Sequence, residues 1–180
     1  MLIKNKLVGL LQRFRDDEEA SATIEFVILI PAVMWIVFSV MESGWLLTQK
    51  TMLDRGLALA VRDLRLGRND EPTAENIIAD ICEYAAILRN CSTTLTLELV
   101  NLDNPIGNAN AKCVDRAATD PIDPPVFNAG SHRNQDIMVA RACYVMDPLI
   151  PGAGFGAALP KDASGGYHMV SYSAFANEPK

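Results

Sequence analysis

The chain has 180 residues and a formal net charge of −6, with 22 acidic against 16 basic side chains. That length leaves room for one modest globular domain plus extra elements. The acidic balance, with no stripe of Lys and Arg interleaved with aromatics, excludes the basic footprint of a nucleic-acid-binding surface.

Residues 1–20 mix apolar side chains (Leu2, Ile3, Leu7, Val8, Leu10, Leu11, Phe14) with Lys4, Lys6, Arg13 and Arg15, and end in Asp16-Asp17-Glu18-Glu19. This reads as a short cytoplasmic leader, suited either to a membrane surface or to an unstructured tail. Next, Phe26 to Leu47 contains one ionisable group, Glu42. As a helix it would reach about 33 Å at ~1.5 Å per residue, enough for a hydrocarbon core of ~30 Å. A cleavable secretory peptide has a shorter apolar core followed by its small-residue cut site. Here Ala20, Ser21 and Ala22 come first, so the expectation is a single membrane span over residues 21–47. Gly44 and Ser43 are small enough for close helix approach.

Basic residues flank the span on both sides, so the positive-inside rule does not orient it. The cysteines do. Cys82, Cys91, Cys113 and Cys143 all follow the span. An even number on one side, with no C-x-x-C spacing, suggests disulfides in an oxidising compartment. The C-terminal part therefore belongs outside the cytoplasm, with the N-terminus inside. Four cysteines allow three connectivities, of which the local one, Cys82–Cys91 with Cys113–Cys143, is expected.

From residue 48 to Gly67, Leu53, Leu57, Ala60, Val61 and Leu64 recur at helical spacing among charged residues. This predicts a membrane-proximal amphipathic helix continuous with the span, kinked at Pro31 and capped by Gly67. A second helix is expected from Thr73 to about Leu88. Thr93 to Val100 then alternates as a half-buried strand, with its leucines on one face and Thr96 and Glu98 on the other. Asn104-Pro105-Ile106-Gly107-Asn108 is turn chemistry, and a brief strand is expected near Lys112–Arg116. Residues 117–135 and 148–164 read as loops, and Asp136–Met146 and Tyr167–Ala176 as strands. The order gives an α+β outer domain over residues 68–180.

Catalytic and cofactor motifs are scarce. Gly152-Ala153-Gly154-Phe155-Gly156 lacks the strand-then-helix context of a phosphate loop. His132 and His168 have no nucleophile motif near them, and Asn90-Cys91-Ser92 fits a glycosylation acceptor only by pattern. The expectation is no enzyme, no cofactor, no metal and no small-molecule substrate.

Glu25 stands at the lip of the apolar run. A carboxylate in an apolar environment needs a partner. A cut between Ala20 and Ser21 would make Glu25 the fifth residue, ~6 Å along a helix from a new terminal amine. In a bundle of parallel helices, a neighbour's amine can serve. The segment ASATIEFVILIPAVMWIVFSVMESGWLL, followed by TQKTMLDRGLALAVRDLR, resembles the prepilin segment of type IV-type pilins. More narrowly, it resembles the TadE-like minor pseudopilins of the bacterial tight-adherence (Tad) pilus system. The resemblance implies processing at Ala20 and Ser21 by a prepilin peptidase and assembly through Glu25 and Phe26. It further implies residence in the inner membrane, with other pilins, pseudopilins and the Tad assembly machinery as partners. One departure is Ala20, where the family commonly has Gly. The rival reading is an unprocessed single-span protein whose outer domain binds a ligand or partner.

Overall fold

The computed structural model describes residues 18–68, 72–101, 113–117, 126–127, 137–150 and 154–176, the first five by backbone only. The elements are α1 (Glu18–Arg65), α2 (Ala74–Tyr84), α3 (Cys91–Thr94), β1 (Leu95–Asn101), β2 (Ile137–Met146) and β3 (Tyr167–Ala176). A single 3-10 turn, Phe155–Ala157, lies between β2 and β3. This is the expected α+β arrangement. The leader before Glu18 and the turn at residues 104–108 lie outside the described residues.

Helix α1 has 48 residues, about 72 Å at ~1.5 Å per residue. It runs through Pro31, whose missing N–H leaves the Val27 carbonyl without its usual helical donor. Polar side chains along its apolar part serve their own backbone. Ser39 Oγ donates to the Trp35 carbonyl (2.8 Å) and Ser43 Oγ to the Ser39 carbonyl (2.7 Å), which keeps both hydroxyls satisfied without water. The helix ends as its sequence requires. Gly67 takes a positive φ of 63°. The Gly67 and Arg68 N–H groups donate back to the Leu64 and Asp63 carbonyls, a Schellman cap that a residue with a Cβ would strain.

The two ends of α1 differ in environment. Residues 23–37 are exposed on every face. From Glu42 onward one stripe is buried, comprising Glu42, Gln49, Leu53, Gly56, Leu57, Ala60, Val61 and Leu64. Their three- and four-residue steps lie along one helix face. Each fully buried leucine there contributes about 1.5–3 kcal/mol, so this seam holds the domain to the helix.

Helix α2 starts at Thr73, whose side chain accepts from the Asn76 N–H (3.3 Å). It packs Ile77 and Ile81 onto α1. Closest approach is at Gly56, where an added Cβ would stand 2.8 Å from the Ile81 carbonyl oxygen and 3.0 Å from the Ala85 Cβ. In an open helix Gly→Ala stabilises by about 1 kcal/mol. Here the obstacle is backbone, which does not yield cheaply. Gly56→Ala is therefore expected to destabilise by about 1–3 kcal/mol net of that gain, read as a lower denaturation midpoint in detergent solution.

Helix α2 stops at Tyr84, short of the expected Leu88. A helix continued to Cys91 would put it about 14 Å along the axis from Cys82. The Cys82–Cys91 disulfide instead holds the two Cα atoms 5.7 Å apart, so the chain must fold back. Ala85 and Leu88 still reach the core from the turn. Thr93 and Thr94 also depart from the expected strand. They close the one-turn α3, both hydroxyls donating to the Asn90 carbonyl at 2.9 Å.

The strands form an antiparallel meander in the order β1-β2-β3. Leu95, Leu97 and Leu99, with Met138, Ala140, Ala142 and Tyr144, face the helices and fuse with their apolar seam. The other face carries a smaller cluster of Cys113, Cys143 and Val145. Cys113 is joined to Cys143. Glu98, expected outside, is buried opposite Arg141, with Arg141 Nη1 and Glu98 Oε2 3.6 Å apart.

The expected strand near 112–116 does not form over its described part. Both edges of β2 are already taken by β1 and β3, so residues 113–117 find no free ladder there. The Ala117 N–H turns back to Asp115 Oδ1 (2.9 Å). Arg116 holds Asp147 with both terminal nitrogens, at 3.1 and 2.6 Å. The guanidinium keeps the Asp147 carboxyl below its ordinary value. Of the loop 117–135, Ala117, Val126 and Phe127 are described. The Val126 carbonyl accepts from the Leu99 N–H (3.0 Å), on the free edge of β1.

Candidate functional site

The residues singled out for processing and assembly sit at the end of α1 farthest from the domain. The backbone is helical through Ala20 and Ser21. Glu25 is exposed, and Phe26 is 62% exposed beside it. Around them Ile24, Val27, Ile28 and Leu29 are each more than half exposed. Glu25 is thus the one charged group on an otherwise apolar exposed surface from Thr23 to Val37. The cysteines belong to the domain and do not approach this surface.

A second group was not foreseen. Glu42 is 1% exposed although it lies in the apolar run. The Tyr167 hydroxyl donates to its Oε1 at 2.7 Å. Burial, reinforced by this carboxylate, holds the Tyr167 phenol well above its ordinary value, so it remains a donor. Oε2 has no hydrogen-bond partner among the described residues. The loop carrying Gly154 and Gly156 lies over the carboxylate. A Cβ at Gly156 would fall 2.2 Å from Oε1 and 2.6 Å from the Tyr167 hydroxyl oxygen. One at Gly154 would meet the Phe38 and Ser39 backbone at 3.3 Å, and there φ is +70°. The glycines thus serve close approach to a helix and not phosphate binding. The available signal was a lone acid in an apolar helix and alternate glycines in a charge-free loop.

Gln49, two turns beyond Glu42 on the same stripe, is also buried, with its Oε1 unpartnered among the described residues. Farther out, the Ser171 hydroxyl donates to Asp54, which also pairs with Lys50. Strand β3 therefore follows α1 outward from Glu42 to Asp54.

A cleft of about 290 Å³ opens beside this contact, with Leu46, Met146, Leu159 and Met169 as its apolar wall. His168 and Asp162 meet at its rim, 3.6 Å apart. Burial would raise the Asp162 carboxyl, but hydrogen bonds from Ser164 and the Gly166 N–H outweigh it and hold the group low. No group of three His, Cys, Asp or Glu side chains suited to a metal ion occurs among the described residues. His132 lies outside them. Asn90, of the acceptor pattern, has φ 50° beside the bonded Cys91.

Among the described residues there is one helix long and apolar enough to cross a bilayer, bare over residues 23–37, with an α+β domain seated on its far half, and this suggests a single-pass membrane protein. Residues 20–62 match the family model described as TadE-like protein. The match lies on α1, and over that segment the chain is similar to the TadE-like family. Neither the curated proteins nor the solved structures contain a match.

Proposed function

We propose that this chain is a minor pseudopilin. A prepilin peptidase cuts it between Ala20 and Ser21, and it then supports assembly of a Tad-type adhesion pilus by helix–helix packing. It resides in the inner membrane with residues 1–20 cytoplasmic and the domain outside, where its two disulfides persist. Its partners are the peptidase, other pilins and pseudopilins, and the assembly machinery. Phe26 packs beside Glu25 at the helix contact.

The observation that carries this reading is the exposed apolar surface of α1 with Glu25 as its single charge. The chain's own domain covers none of it, so lipid and neighbouring helices are what remain to contact it.

Intact-mass analysis of membrane-extracted protein tests the processing step. With the peptidase present, a chain beginning at Ser21 is expected. A chain that keeps residues 1–20 under those conditions would defeat the assignment.

A further inference from the structure

Helix α1 contacts its own domain far down its apolar run, and this has a consequence for depth in the membrane. The loop of the 3-10 turn touches α1 from Phe38 to Glu42. With Glu25 at the inner lip, Glu42 would lie about 26 Å up the helix at ~1.5 Å per residue, still within a hydrocarbon core of ~30 Å. Any tilt would place it deeper. An irregular loop cannot face lipid inside that core, because its backbone groups need water.

The loop's composition fits the boundary instead. Residues 148–160 contain no charged side chain, while Asp147 and Lys161 flank them. Leu149 is 47% exposed and Phe155 46% exposed. Beneath them the glycines bring the loop backbone against α1 and shield Glu42 from the surroundings.

We propose that the segment from Gly154 to Leu159 rests in the headgroup boundary of the outer leaflet, with Phe155 inserted among the upper acyl chains, and so fixes how deep α1 sits. The occupant of this apolar patch is lipid, since the patch is continuous with the surface of the span itself. The proposal rests on reading α1 as membrane-spanning. It also moves the hydrocarbon window. If the outer boundary lies at Met41, counting ~30 Å back along the helix reaches Ser21. Glu25 then lies about 6 Å inside the core, where a carboxylate needs a partner.

Three single-tryptophan forms of the full chain test this in phosphatidylcholine vesicles containing lipids brominated near the headgroup or near the chain end. The first keeps Trp35 and carries Trp45→Phe. The second carries Trp35→Phe, Trp45→Phe and Phe155→Trp. The third has Tyr172→Trp in place of Phe155→Trp, at an exposed position farther out on β3. Emission from position 155 should be blue-shifted and lost mainly to the shallow bromines, that from Trp35 lost mainly to the deep ones, and that from position 172 retained. Water-like, unquenched emission from position 155 with Trp35 quenched would overturn the loop proposal and leave the span standing. Blue-shifted emission from 155 that no brominated lipid quenches would mean that protein covers Phe155, and would overturn it too. Unquenched Trp35 would remove the span on which both depend.

Discussion

Glu25→Ala is expected to abolish piliation while the protein remains membrane-inserted, folded and processed at Ser21. Glu25 lies on the bare part of α1, remote from every buried residue of the domain, so its loss leaves the core and both disulfides intact. Exposed substitutions away from such features usually change stability by less than about 0.5 kcal/mol. The effect should therefore appear only on association. A carboxylate held in hydrocarbon and paired with a neighbour's terminal amine is a buried ion pair, and removing one partner of such a pair costs about 3–5 kcal/mol. At about 1.4 kcal/mol per tenfold, that weakens subunit association by about two to three and a half orders of magnitude. Immunoblotting of membranes should show normal amounts of mature protein, with electron microscopy of the cells showing no pili. Normal piliation would defeat the pairing role. Glu25→Gln separates charge from size, because it keeps the shape and cannot neutralise an amine. It should behave like alanine.

Much of the architecture was legible because it is encoded locally. The charge-free run and the stripe from Leu53 to Leu64 announce a long helix that changes environment partway along, and Gly67 marks its end. Alternation located β1, and β3 runs from Tyr167 to Ala176 as expected. What was not legible depends on partners distant in sequence. Nothing around Cys82 says that the helix must turn after Tyr84; that follows from where Cys91 has to go. The polar face of β1 predicted an exposed Glu98, but the strand register puts it opposite Arg141 and it is buried. Residues 113–117 look like a strand until both edges of β2 are known to be occupied.

The candidate site divides in the same way. Glu25 and Phe26 stand out because their surroundings are contiguous in the chain. Glu42 gave only half a signal, an acid in the wrong place, with its partners more than a hundred residues later in a loop and at the start of β3. Within the chain the close approach is at Gly56, where the obstacle is the α2 backbone, while an added Cβ at Gly44 would meet nothing within 4 Å and that position stays exposed on α1.

Gly156→Ala is expected to detach the loop from α1 and to cost more than any other single methyl group near this contact. The added Cβ would stand 2.2 Å from Glu42 Oε1 and 2.5 Å from its Cδ. Either the carboxylate or the loop must leave. If the carboxylate moves, it loses the Tyr167 hydroxyl, its one hydrogen-bond donor among the described residues. Overpacking costs about 1–3 kcal/mol, and an unsatisfied buried polar group adds about 1–3 kcal/mol, more for a charged one. The sum is a large part of a typical domain's stability of about 5–15 kcal/mol. Hydrogen exchange should show the backbone of residues 154–158 losing protection, with residues 53–64 of α1 unchanged, because the apolar seam does not depend on this loop. Gly44→Ala, at an open position, is the control and should leave both regions as they were. The cause is isolated by a double substitution. In a Glu42→Ala background the two nearest obstructing atoms are gone, so adding Gly156→Ala should cost much less than it does alone. Equal costs in both backgrounds would mean that Gly156 is needed for its backbone and not for the space it leaves to Glu42.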